Sequence, residues 1–170
     1  MIIKLSFCVK RKVFKLPDCF SGLHLPAAPL PSLRILNVSL NYISDISPLE
    51  SLITLERLNV RSNRITDVSP VSPLTHLRVL DITNNQISDL TPIETLTKME
   101  QLKVGGNKIC DISVVASMPM LRVLNICNNS ITDFSPLAAL HADCLLTMYG
   151  NPAEDLSPTA HIKRILNTES

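Results

Sequence analysis

The apolar residues of this chain recur in a frame of 22 positions. Leu33, Leu36, Val38 and Ile43 are followed at that spacing by Leu55, Leu58, Val60 and Ile65. The frame continues through Leu77, Leu80, Ile82 and Ile87, then Met99, Leu102, Val104 and Ile109, then Leu121, Leu124, Ile126 and Ile131. A further copy keeps Leu146 and Met148 but opens on Asp143. The second half of each unit repeats as well: Ile46, Val68, Leu90, Ile112 and Phe134 share one position, and Leu49, Val71, Ile93, Val115 and Leu137 the next apolar one. Alternation such as Leu36-x-Val38 predicts a short strand with every second side chain on one face. A single unit cannot bury that face, so stacked units must share one core, with the strands forming a parallel sheet at about 4.8 Å spacing.

The polar positions repeat in the same frame. Asn41, Asn63, Asn85, Asn107, Asn129 and Asn151 stand where the chain leaves each strand. A carboxamide offers two donors and an acceptor, so each is expected to satisfy backbone groups inside the turn as a structural ladder. Asp45, Asp67, Asp89, Asp111 and Asp133 precede an apolar residue and then Ser or Thr, followed by Pro in all units but that of Val114. This wording predicts a turn or short-helix cap, with proline favouring 3₁₀ or extended structure on the outer side.

The units start at 11, 33, 55, 77, 99, 121 and 143, giving a repeat domain over 11–152. In the first, weaker unit, Phe14, Leu16 and Cys19 fall in frame, Cys19 at the asparagine position, ahead of a proline-rich stretch at 25–31. Residues 1–10 read as a partial repeat or an N-terminal extension, with Ile2, Leu5 and Cys8 in frame. No polar cap precedes them, although a solenoid needs capped ends, so the chain reads as a fragment, a truncated product or part of a larger assembly. At the other end, 153–170 is expected to form a capping helix and tail: Ser157 as N-cap, Pro158 in the first turn, and Ile162, Ile165 and Leu166 on one face.

The pattern L-x-x-L-x-L-x-x-N-x-L is that of leucine-rich repeats. Over roughly residues 11–167 the frame resembles the 22-residue repeats of the phosphatase-1 regulatory subunits and of outer-arm dynein light chain 1, and also those of bacterial internalins. The wording Ile43-Ser44-Asp45-Ile46-Ser47-Pro48-Leu49 is most similar to internalins, whereas Gly150-Asn151-Pro152 followed by Lys163-Arg164 resembles the intracellular group. The resemblance implies an α/β solenoid: a horseshoe with a parallel sheet on its concave face, 3₁₀ or extended convex segments, and a protein partner bound on the concave side. The intracellular group's trailing Pro-x-Leu-x-x-Leu-Asp is missing here, and none of its contact residues can be carried over.

Strand positions alternating with the core point to the concave face. The third position of each unit gives Val13, Ile35, Arg57, Val79, Gln101, Val123 and Leu145; the fifth gives Lys15, Asn37, Asn59, Asp81, Lys103, Asn125 and Thr147. The seventh gives Ser39, Arg61, Thr83, Gly105, Cys127 and Tyr149, and the tenth, at the rim, Phe20, Tyr42, Arg64, Gln86, Lys108 and Ser130. Arg57, Arg61 and Arg64 share one unit, Lys103 and Lys108 lie two units on, and Asp81 sits between. Together with Ile35, Asn37, Tyr42, Asn59, Val79, Val123 and Tyr149 they form the candidate surface for a mixed apolar and acidic patch on a protein partner, since interfaces favour Arg and aromatics at their energetic centres.

Composition narrows the function. The 170 residues are 45% hydrophobic but only 4% aromatic, with a net charge of +1, which argues against a dedicated nucleic-acid binder and against disorder. No apolar run approaches the roughly 18 residues of a membrane span. The five cysteines, Cys8, Cys19, Cys110, Cys127 and Cys144, include no C-x-x-C pair and read as free thiols of a reducing compartment. Lys4 splits the apolar N-terminus and the basic cluster Lys10-Arg11-Lys12 follows it, so no signal peptide is read and the expected address is the cytoplasm. His24, His76 and His141 fall in turns or outer segments, and His161 reads as a surface or capping residue, so no histidine shares the strand face with Cys127. Gly105-Gly106 lacks phosphate-loop spacing and reads as a close turn. Asn37-Val38-Ser39 and Asn128-Asn129-Ser130 match the glycosylation pattern, which matters only in a secreted chain. The expectation is a non-enzymatic interaction scaffold or regulatory subunit without metal or cofactor, monomeric or part of a larger complex. The alternative is an internalin-like surface or secreted adhesin, with an enzyme a distant third.

Overall fold

One strand per unit, repeated in register, makes a single sheet whose neighbours are successive copies of the same sequence frame. The computed structural model describes residues 32–166 and the backbone of 13–15. The strands are β1 (Val13–Lys15), β2 (Ile35–Asn37), β3 (Arg57–Asn59), β4 (Val79–Asp81), β5 (Gln101–Lys103), β6 (Val123–Asn125), β7 (Leu145–Thr147) and β8 (Arg164–Leu166). They pair in parallel in chain order within one open, curved sheet. From β1 to β7 partners are 22 residues apart, as in Leu58 opposite Leu80. Backbone bonds between units continue beyond each strand: Val60 N–H donates to Asp81 O at 2.9 Å and Ser62 N–H to Thr83 O at 2.8 Å.

Leu36, Leu58, Leu80, Leu102, Leu124 and Leu146 form the inward row of the sheet and are fully or almost fully buried. Behind them the second-half residues, from Ile46, Leu49 and Leu52 to Phe134, Leu137 and Leu140, close one continuous aliphatic core. Burying each such side chain contributes about 1.5–3 kcal/mol, and only stacked neighbours make that burial complete.

The outer return of each described unit is a 3₁₀ helix, as at Ser47–Ser51, Ser69–Val71 and Thr91–Ile93. Every start is set by the preceding aspartate. Asp45 Oδ1 accepts the Ser47 N–H at 2.8 Å, and Asp67, Asp89, Asp111 and Asp133 do the same for the residue two positions on, at 2.7–2.8 Å. In the unit without proline, Val114 fills the same place with a buried side chain and the 3₁₀ helix Ser113–Ser117 still forms.

The C-terminal segment departs from expectation. In place of a capping helix there is a 3₁₀ turn at Ser157–Thr159 followed by β8. Asp155, which accepts the Ser157 N–H at 2.8 Å, lies 22 residues after Asp133, so Asp155-Leu156-Ser157-Pro158 opens one more outer return. Ser157 and Pro158 therefore act as their counterparts Ser135 and Pro136 do. Ile162, buried, occupies the place of Leu140. The chain then reaches its strand early: Leu145 pairs with Arg164, an offset of 19, because the segment between core residue and strand is three residues shorter. Residues 1–12, 16–31 and 167–170, which include Cys8, Cys19 and Phe20, lie outside the described residues.

Candidate protein-binding face

Two structures at the ends of β2 to β7 hold the open face in place. The first is the asparagine ladder. Asn63 Nδ2 donates to Val60 O at 2.8 Å in its own unit and to Val38 O at 3.0 Å in the preceding one, while its Oδ1 accepts the Ile43 N–H at 3.0 Å. Asn85, Asn107, Asn129 and Asn151 repeat this arrangement, with Asn85 bonding Ile82 O, Val60 O and the Ile65 N–H. Each carboxamide therefore stitches two units together, which a turn-local role would not do.

The second is a left-handed residue just before each ladder asparagine: Leu40, Ser62, Asn84, Gly106, Asn128 and Gly150 all have φ between 51° and 69°. Leu40 and Ser62 adopt it at a cost of about 1–2 kcal/mol, whereas glycine does so freely. The asparagine side chains lie over the glycine of the next unit: a Cβ on Gly106 would strike Asn84 Oδ1, and one on Gly150 would strike Asn128 Oδ1.

The four outward columns differ in what they leave free. In the third column Ile35, Val79, Val123 and Leu145 are half-buried and alternate with exposed Arg57 and half-buried Gln101. In the fifth column Asn37, Asn59 and Asp81 are engaged locally: their Oδ1 atoms accept the N–H two residues on, at 3.0 Å for Ser39, 3.0 Å for Arg61 and 3.1 Å for Thr83. Lys103 Nζ stands 4.0 Å from Asp81 across one unit. In the seventh column Arg61 is exposed, but Cys127 is 7% exposed. A Cβ at Gly105 would lie 2.7 Å from the Cys127 sulfur, so the missing side chain at Gly105 is what lets Cys127 lean across and close the surface. In the tenth column the Arg64 guanidinium sits 4.7 Å over the ring of Tyr42, with Lys108 exposed two units further on. Tyr149, half-buried, is five units from Tyr42, about 24 Å at sheet spacing, so the two tyrosines belong to opposite ends of the face.

At the opposite rim, where the strands begin, charge alternates: Arg34, Glu56, Arg78, Glu100, Arg122. Arg34 Nη1 binds Glu56 Oε1 at 2.7 Å and Arg78 Nε binds Glu100 Oε1 at 2.9 Å. The 22-residue spacing puts opposite charges side by side, so Arg34 pairs with Glu56 and Arg78 with Glu100 within this column.

Among the described residues no group of three or more His, Cys, Asp or Glu is placed to hold a metal ion, and every buried side-chain nitrogen or oxygen has a partner. Cys110 is exposed, Cys127 and Cys144 are buried, and all three are free thiols; burial pushes the Cys144 thiol up. His161 Nε2 lies 2.8 Å from Leu140 O, tying the last outer return to the one before. No helix among the described residues is long and apolar enough to cross a membrane.

A parallel sheet of 22-residue units, an asparagine ladder and 3₁₀ returns define a leucine-rich repeat solenoid. The paired leucine-rich repeat model matches residues 31–74, 53–95 and 75–117, and the single leucine-rich repeat model matches 120–140. The chain belongs to the leucine-rich repeat family, whose folds typically serve as interaction scaffolds. Among solved structures it is similar to internalin C2 of Listeria monocytogenes, at 28% identity and a TM-score of 0.73, covering 86% of this chain and 70% of that one. It is similar also to an internalin, inlF, of the same organism, at 32% identity and a TM-score of 0.59, covering 82% of this chain and 50% of that one. A leucine-rich repeat protein of Leptospira interrogans shares the fold at 21% identity and a TM-score of 0.69, covering 84% of this chain and 44% of that one. No curated protein matches the sequence.

Proposed function

We propose that this chain is a non-catalytic interaction module, a cytoplasmic scaffold or regulatory subunit, that receives a protein partner on the concave face of its sheet. The observation that carries this reading is the contrast between the two faces. One is sealed by the aliphatic core; the other presents columns whose residues change from unit to unit over an invariant backbone. A parallel sheet is normally covered on both faces, and here a partner supplies the second cover. The test is affinity capture from the native cell lysate with wild type, with Arg57→Ala/Arg61→Ala, and with Val79→Trp/Val123→Trp, which fills the face. A partner held by wild type and lost from the face variants supports the reading; a partner held equally by all three overturns it.

A second reading, a surface or secreted adhesin, is favoured by the two internalins at 28% and 32% identity. Export of the chain from its native cell would support this reading, and retention in the cytosol would support the first.

A further inference from the structure

Resting on the concave-face reading above, we infer that the partner presents an extended acidic segment of polypeptide to Arg57, Arg61 and Arg64 of a single unit. The register shows why these three are available. Arg57 stands between Ile35 and Val79 of the adjacent strands. At the same 22-residue spacing Arg61 stands between Ser39 and Thr83, and Arg64 between Tyr42 and Gln86. None of these rows holds a carboxylate beside the arginine. The contrast is with the rim, where Arg34 and Arg78 meet Glu56 and Glu100 one unit on.

The imbalance extends over the whole face. Among the described residues the outward columns hold the cations Arg57, Arg61, Arg64, Lys103, Lys108 and, by its pairing with Leu145, Arg164, against the single carboxylate Asp81. The other described carboxylates lie elsewhere, most of them capping outer returns or pairing along the rim. A chain with a net charge of only +1 thus carries a concentrated positive field on one side.

The chemistry selects carboxylates on a peptide. Guanidinium groups match carboxylates in a two-bond fork, and stacking on Tyr42 holds Arg64 in place before a partner arrives. Half-buried Ile35 and Val79 flank Arg57 on the adjacent strands and suit aliphatic side chains, and among the described residues the face holds no row of aromatics on which bases would stack. Arg57 and Arg61 are four positions apart along the strand direction, about 13 Å, which is the reach of an extended segment with acidic residues four positions apart.

The experiment measures fluorescence anisotropy of the full chain with three labelled probes: a peptide alternating Glu and Val, its Lys-Val counterpart, and a short single-stranded oligonucleotide. The Glu peptide binds and the Lys peptide does not. Arg57→Glu/Arg61→Glu weakens the Glu peptide at least about tenfold, Arg57→Gln/Arg61→Gln weakens it less, and Lys98→Glu/Arg122→Glu, with the same change in net charge away from the face, changes it less than about twofold. The neutral pair keeps the test readable if charge reversal disturbs folding, which circular dichroism checks. Equal losses from the two charge-reversed pairs, or tighter binding of the oligonucleotide, overturn the inference. If the lysate partner is lost with Val79→Trp/Val123→Trp while no arginine variant affects the Glu peptide, the acidic class fails and the concave reading stands.

Discussion

At the ladder edge of the sheet one residue type recurs in all six places, Asn41 to Asn151, whereas in the column beginning at Ile35 the side chain changes at every strand, through Arg57, Val79, Gln101 and Val123. The two regions lie a few residues apart on the same backbone. The edge is uniform because each asparagine from Asn63 to Asn151 must satisfy the same three or four backbone groups in two adjoining units. The face varies because no single bond pattern across units is imposed on its side chains. Repetition in this molecule marks what holds the units together, and variation marks what is left for a partner.

Removing one ladder side chain should give the largest effect. Asn85→Ala leaves the buried Ile65 N–H without a partner and takes one of the two asparagine donors from each of the Val60 and Ile82 carbonyls, and is expected to cost about 3 kcal/mol in a urea unfolding titration. A loss under about 1 kcal/mol would erase the distinction between edge and face. The left-handed column sharpens it further. Gly106→Ala should destabilise by about 1–2 kcal/mol, while Leu40→Gly should stabilise by roughly 0.5–1 kcal/mol, the strain relieved less the added freedom of the unfolded chain. The same titration reads both, and the opposite pair of signs would refute the conformational account.

The smallest effect belongs to acid. The carboxyls of Asp45, Asp133 and Asp155 are held below the usual carboxylate range, chiefly by the backbone N–H two residues on, and Asp89 chiefly by the Thr91 hydroxyl. Their folded values are depressed, so their contribution is complete above the ordinary carboxylate pKa of about 3.9 and is lost as pH falls through the lowered values. Replacing all four with Asn, which still accepts the N–H but carries no charge, should flatten the fall in Tm below pH about 4 and lower Tm at neutral pH by a similarly small amount. An unaltered acid limb would show that other groups govern it.

Much of this architecture was legible in the residues. The spacing of Leu36, Leu58 and Leu80 reveals both the period and the strand register, and Asp-x-Ser-Pro reveals the 3₁₀ returns. The left-handed column was not legible, because Leu40, Ser62 and Asn84 share a conformation and no chemistry. The C-terminal strand was hidden by the three-residue shortening before Arg164, which breaks the frame after Ile162 and lets Ser157-Pro158 pass for a helix start. For the face, alternation separates inward from outward positions, but not the state of what points outward. The local bonds of Asn37, Asn59 and Asp81, the closing of Cys127 over Gly105, and the lack of carboxylates beside Arg57 depend on contacts between units that a single repeat does not display.

The rim pairs bear on how this solenoid tolerates a change of length. Arg34, Glu56, Arg78, Glu100 and Arg122 alternate, so their true period is two units, and the succession Asn84, Gly106, Asn128, Gly150 shares it. Excising residues 77–98 would preserve the core frame yet bring Glu56 against Glu100, whereas excising 77–120 would bring Glu56 against Arg122. The hydrophobic interior counts in steps of 22, but the charged rim counts in steps of 44, and a shortening that satisfies both removes repeats two at a time.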